Sequence, residues 1–207
     1  YADTTTQMDV FLLRKTGMPT AGTITAGGPT GSATAVPVIT YNATGQLTAV
    51  TTATITAGFT IGTPQATTSG TSWNFGSIPS TARTIIISFQ GVSFTATIAM
   101  LVQIGDAGGI ESADYVSTSV DGANAAASST TGFAMGGNPA AADIISGHMI
   151  LTLLNSSTNL WASSHTCKQS TTTMFSGAGD KALSATLTQL TLSGGTGDAG
   201  SVNIAYI

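Results

Sequence analysis

The chain has 207 residues, yet only 5 Lys and Arg stand against 9 Asp and Glu, so 7% of it is charged where a soluble domain usually carries about 25%. A formal charge of -4, with the cations scattered at Arg14, Lys15, Arg83, Lys168 and Lys181, excludes a nucleic-acid surface, because counterion release needs clustered positive charge. At 42% hydrophobic residues the chain can bury a core, which excludes wholesale disorder.

The most apolar regions, 85–100 and 144–154, are interrupted every few positions by Ser, Thr, Gln, Gly or His; this predicts neither membrane insertion nor a signal peptide. The single cysteine, Cys167, leaves no intrachain disulfide, so packing or self-association must supply stability.

More than half of the residues are Thr (38), Ala (29), Gly (25) or Ser (22), and they are densest in residues 1–69. Short β-like runs appear at 9–14, at Val36–Tyr41 and from Gln46 to Ile61, separated by turn clusters such as Gly27-Gly28-Pro29 and Asn42-Ala43-Thr44-Gly45. This segment reads as an extended, strand-rich shaft or anchor. Its sheet edges would need covering, which argues for an intertwined oligomer.

Residues 70–207 have the texture of a compact all-β domain, an antiparallel β-sandwich or jelly roll of short strands at regular spacing. Arg83 to Phe89 reads as a strand buried on both faces; His148 to Leu154 places Met149, Leu151 and Leu153 on one face. Between Leu187 and Leu190 the apolar parity changes, predicting a bulge at Thr188-Gln189. The last strand puts Val202, Ile204 and Tyr206 together. Two stretches, 117–131 and 155–181, read as long loops, the places where sandwiches carry binding function.

A series of phrases runs through this domain in order: Gly70-Thr71-Ser72-Trp73-Asn74-Phe75, Leu101-Val102-Gln103-Ile104-Gly105, Gly108-Gly109-Ile110-Glu111, Tyr115-Val116-Ser117, Ser146-Gly147-His148-Met149, Trp161, Gly179-Asp180-Lys181-Ala182-Leu183-Ser184 and Asp198-Ala199-Gly200-Ser201-Val202-Asn203-Ile204-Ala205-Tyr206. In these it resembles the C-terminal β-sandwich module of tail-fibre and related virion surface proteins of tailed bacteriophages and prophages. It departs from that family at Thr188-Gln189, where an Asp-Arg pair is common, and at Gly195-Thr196-Gly197, where the approach to the last strand is acidic and aromatic.

The resemblance implies a virion surface location and a homotrimer, with the sandwich at the distal tip and the N-terminal segment docked on other virion proteins of tail or capsid. The partner at the tip would be a host cell-surface glycan or protein. A capsid (head) fibre or decoration protein is the alternative, suggested by the short shaft, and a glycan-depolymerase tailspike a third reading.

Hydrolysis of glycans needs two carboxyl groups across a cleft, but only Asp106, Glu111 and Asp114 lie close together, in a Gly-rich turn where Asp serves local backbone bonds. Neither His has an adjacent acid, and no Gly-x-Ser-x-Gly elbow is present, so no enzyme and no cofactor is expected. His165 and Cys167 would share a strand face, but two ligands make no metal site in one chain. Trp161 is either a sugar-stacking platform on a long loop or a core residue; Trp73 reads as core. On the loop reading, Asp121, Asn124, Trp161 and His165 are the receptor-binding candidates.

Overall fold

The computed structural model describes residues 35–43, 45, 47–55, 58–122, 126–171 and 173–207. The chain divides into two compact units, Tyr1–Ala57 and Gly58–Ile207. In the first, β1 (Ala35–Tyr41) and β2 (Leu47–Thr54) form an antiparallel hairpin closed by the Gly45 amide donating to the Asn42 carbonyl at 3.0 Å. The expected strand at 9–14 lies outside the described residues.

The second unit is all-β. Its strands are β3 (Thr60–Ile61), β4 (Gln65–Ala66), β5 (Ser72–Phe75), β6 (Thr84–Phe94), β7 (Met100–Asp106), β8 (Gly109–Ile110), β9 (Val116–Asp121), β10 (Ala126–Ser129), β11 (Phe133–Met135), β12 (Ile145–Asn155), β13 (Leu160–Lys168), β14 (Met174–Ala182), β15 (Gln189–Ser193) and β16 (Gly197–Tyr206). They build a larger antiparallel sheet ordered β10-β9-β14-β13-β12-β6-β16-β3, with β4 also on β16, and a smaller one ordered β11-β7-β15-β5, with β8 on β7.

One core lies between the sheets. Ile85, Ile87 and Phe89 of β6, Met149 and Leu151 of β12, and Val202 and Ile204 of β16 face Val102 and Ile104 of β7 and Leu190 and Leu192 of β15. The period-2 pattern of branched side chains explains this, since alternate residues of a strand share a face. Ser88 and Gln90 are exposed between the buried positions of β6, so that strand is one-sided rather than buried on both faces. Trp73 sits in the core and donates its indole N–H to the Ala66 carbonyl at 2.9 Å; this ties β4 to the sandwich, and the compact unit begins at Gly58.

Two expectations change. The stretch 117–131 holds the hairpin β9–β10, and 155–181 holds most of β13 and β14. Hydroxyl and glycine residues carry much of the alternation there, beside Trp161, Cys167 and Phe175: Ser117, Ser119, Ser163 and His165 point inward, while Val116, at 67% exposure, and Val120 point outward. The parity change near Leu187 is the expected one: Leu187 and Leu190 are both buried though three apart, and the Thr188 N–H bonds the Gly105 carbonyl although Gln189 already stands opposite Gly105, so two residues oppose one at Thr188-Gln189.

Candidate functional site

Of the four receptor-binding candidates, Trp161 and His165 are corrected by burial. At 2% and 4% exposure both face the interior from β13, so neither presents a surface to a receptor. Asp121 ends β9 beside Phe175 of β14, partly exposed. Asn124 lies outside the described residues.

His165 belongs to a polar seam between the sheets. Ser117 Oγ accepts the Ala134 N–H at 2.9 Å and Ser119 Oγ the Gly136 N–H at 2.9 Å, so two serines of the larger sheet reach backbone at β11 of the smaller. A serine side chain spans such a gap only where the sheets come much closer than the usual ~10 Å. Space is short within the larger sheet as well: a Cβ on Gly177 would sit 2.5 Å from both the Thr118 carbonyl and His165 Cε1 on the flanking strands.

Ser119 Oγ also donates to the Ser176 carbonyl at 3.2 Å, which uses its only proton. The imidazole therefore donates from Nε2 to Ser119 Oγ at 3.0 Å, and Nδ1 stays a buried acceptor without a partner among the described residues. The ring meets Phe175 edge-on at 5.7 Å. Burial pushes the imidazole down to about 4, so His165 is neutral and structural.

Cys167, two residues on, is buried with its thiol pushed up to about 12 by the same cause, where it is inert as a nucleophile. Among the described residues no group of three or more His, Cys, Asp or Glu could hold a metal ion.

The acids of the Gly-rich turn clasp that turn to the chain around Ser184. Asp106 accepts the Gly108 N–H at 2.7 Å and the Ser184 hydroxyl at 2.6 Å, and the Ser184 hydroxyl above all holds its carboxyl below the usual range. Glu111 accepts the Ser184 N–H at 2.8 Å and pairs with the buried Lys181 ammonium at 2.6 Å. Burial works to raise its carboxyl, but Lys181 and Ser184 outweigh it and the net shift is downward.

Lys181 also lies over the Tyr115 ring at 5.5 Å, and the Tyr115 hydroxyl bridges the Ile104 amide and carbonyl. A Cβ on Gly105 would fall on the Gly109 carbonyl, so only glycine permits this tight connection.

Among the described residues two surface concavities stand out. One of about 300 Å³ lies at the base of the β9–β10 hairpin, lined by Val116, Thr118, Ser128 and Thr130 among others. The other, about 320 Å³, lies against β16 and includes Ser88, Gln90, Ser201 and Asn203. The sequence reading missed these four, although their alternation on β6 and β16 is the signal of an outward polar row. Among the described residues no helix is long and apolar enough to cross a membrane. No family model, no curated protein and no solved structure matches the chain.

Proposed function

We propose that this chain is a bacteriophage virion structural protein, a non-enzymatic homotrimeric tail fibre whose β-sandwich is the host-recognition tip. The observation that carries the reading is the β1–β2 hairpin. All of β2 and all but one residue of β1 are exposed, including Val36, Val38, Ile39, Tyr41, Leu47 and Val50, and no charge occurs from Thr16 to Ala82. An uncovered two-stranded sheet is marginal in water, and an uncharged apolar edge invites further strands. Copies of the same chain supply such strands, which is how a fibre shaft forms.

The chemistry of the sandwich supports a binding rather than a catalytic role. Asp106 and Glu111 are engaged in holding the turn, and His165 is sealed between the sheets. Host contact then falls to exposed polar surface, with Asp121 the described candidate near the β9–β10 end. Weak contacts multiplied over three linked tips give useful avidity.

Two measurements test this reading. Light scattering on the purified chain is expected to give three times the protomer mass; a monomer refutes the shaft argument. Antibody labelling of intact particles under the electron microscope is expected at tail-fibre ends. Label spread over the head shell would replace the reading with a capsid fibre or decoration protein, and reducing ends released from host polysaccharide would replace it with a depolymerase.

A further inference from the structure

The groove against β16 owes its existence to a split edge strand. β3 pairs with Ala205 and Tyr206 and β4 with Ser201 and Val202, while residues 62–64 between them lie outside either strand. Pro64 has no N–H to offer the ladder, and across the gap the Gly62 N–H still bonds the Ile204 carbonyl at 2.8 Å. A Cβ on Gly62 would lie 3.2 Å from Asn203 Oδ1, so glycine lets this connection run close over β16. The result is a concavity of about 320 Å³ with Ile61 and Pro64 as an apolar wall; Ile61 is 73% exposed.

Its floor is uncharged, with Ser88, Gln90, Ser201 and Asn203 beside the apolar Ile204 and Ala205. Ser88 pairs with Asn203 and Gln90 with Ser201 across β6 and β16, so the four side chains stand at the corners of a rectangle about 5 Å across the strands and about 7 Å along them. Asn203 Oδ1 accepts the Ile204 N–H at 2.8 Å, and Gln90 Oε1 accepts the Ser201 hydroxyl at 3.4 Å. Both amides thus have their carbonyl oxygens engaged and their NH₂ groups turned to other partners. Among the described residues nothing takes up those NH₂ groups or the Ser88 hydroxyl.

We infer that this groove is a binding site for a neutral hexopyranose unit of a glycan. The rectangle has the footprint of one pyranose ring, and two amide donors and a hydroxyl match its hydroxyl oxygens. The Ile61–Pro64 wall offers apolar surface to its C–H face. The absence of any charged lining residue disfavours phosphate, sialic and uronic groups. That this sugar belongs to a host receptor rests on the fibre reading above; that it binds does not.

The test is saturation-transfer NMR on the full chain with D-glucose, D-galactose, D-mannose and N-acetyl-D-glucosamine, each at about 10 mM, the range suited to a single weak site. Transfer to at least one of these sugars is expected. Gln90→Ala and Asn203→Ala should each weaken it about fivefold, the value of one hydrogen bond. Because Asn203 also caps the Ile204 amide, Ser88→Trp provides a second probe: it leaves both amides in place at an exposed position, fills the groove, and should abolish transfer while preserving the melting temperature.

No transfer to any of the four sugars, or transfer undiminished in Ser88→Trp, overturns the site. Sugar binding with head-shell labelling would keep the groove and remove the fibre-tip reading. Tail-end labelling without sugar binding would do the reverse.

Discussion

Protonating His165 should unlock the seam between the two sheets. The neutral ring donates from Nε2 to Ser119 and leaves Nδ1 an unpartnered acceptor; a proton there would create a buried charge and a buried donor with nothing to receive it. The imidazole is pushed from the ordinary 6.5 to about 4, and each pKa unit is worth 1.36 kcal/mol, so the linkage amounts to about 3 kcal/mol.

The sign follows from where the proton binds. The unfolded chain takes it up near 6.5 and the folded chain only near 4, so stability is full above about pH 6.5 and falls by about 1.4 kcal/mol per unit as pH drops toward 4. Asp106 and Glu111, both held below their ordinary values, lose their contribution only under more acidic conditions. The window from about 6.5 to about 4.5 therefore belongs to His165. Urea unfolding of the wild type and of His165→Gln, at one protein concentration and several pH values, should give lines that converge as pH falls, because the variant has no proton to take up. Parallel lines across that window would refute the argument.

Gly177→Ala should cost about 2 kcal/mol through overpacking against the Thr118 carbonyl and His165, read as a melting temperature lowered by roughly 4–8 °C. Lys181→Met strands the Glu111 carboxylate, whose side chain is only 22% exposed, and should cost about 2–3 kcal/mol in chemical denaturation; adding Glu111→Gln should restore part of that loss, and a purely additive double variant would argue against a working pair. Cys167 should resist a thiol reagent in the native protein and react at once in denaturant, since its thiol is buried and pushed up to about 12; rapid native labelling would contradict the placement of β13.

The central strands were legible because their alternation is written in branched and aromatic residues. Met149 and Leu151 of β12 and Val202 and Ile204 of β16 lie inward, with Leu153 and Tyr206 packed against the same core, as their period-2 spacing predicts. The tight turn at 105–109 was legible from its glycines. The β9, β13 and β14 region was not, because Ser117, Ser119, Ser163, Gly177 and Gly179 fill much of its inner face, among Trp161, Cys167 and Phe175, while Val116, Val120 and Met174 face out. A hydrophobicity pattern read on β9 gives the wrong face, and a run of small residues on β13 and β14 reads as loop. What the pattern lacks is the closeness of the second sheet, a tertiary fact that makes a serine a better inward residue than a valine. The same cause hid the role of His165, which looked like a loop residue two positions from a cysteine.

The inversion also bears on where recognition can occur. Inside the sandwich the engaged polar groups serve cohesion: His165 closes the seam, and Asp106, Glu111 and Lys181 clasp the turn. Chemistry available to a partner is left to the outward rows of the larger sheet, which carry hydroxyls and amides with few charges. Such a surface gains little from long-range electrostatic steering, so its affinity must come from short-range hydrogen bonds and shape. Contacts of that kind are individually weak, and they become useful when several copies act together. On the proposed reading, the uncharged exposed hairpin and the neutral groove share one physical requirement, several copies of the chain acting together.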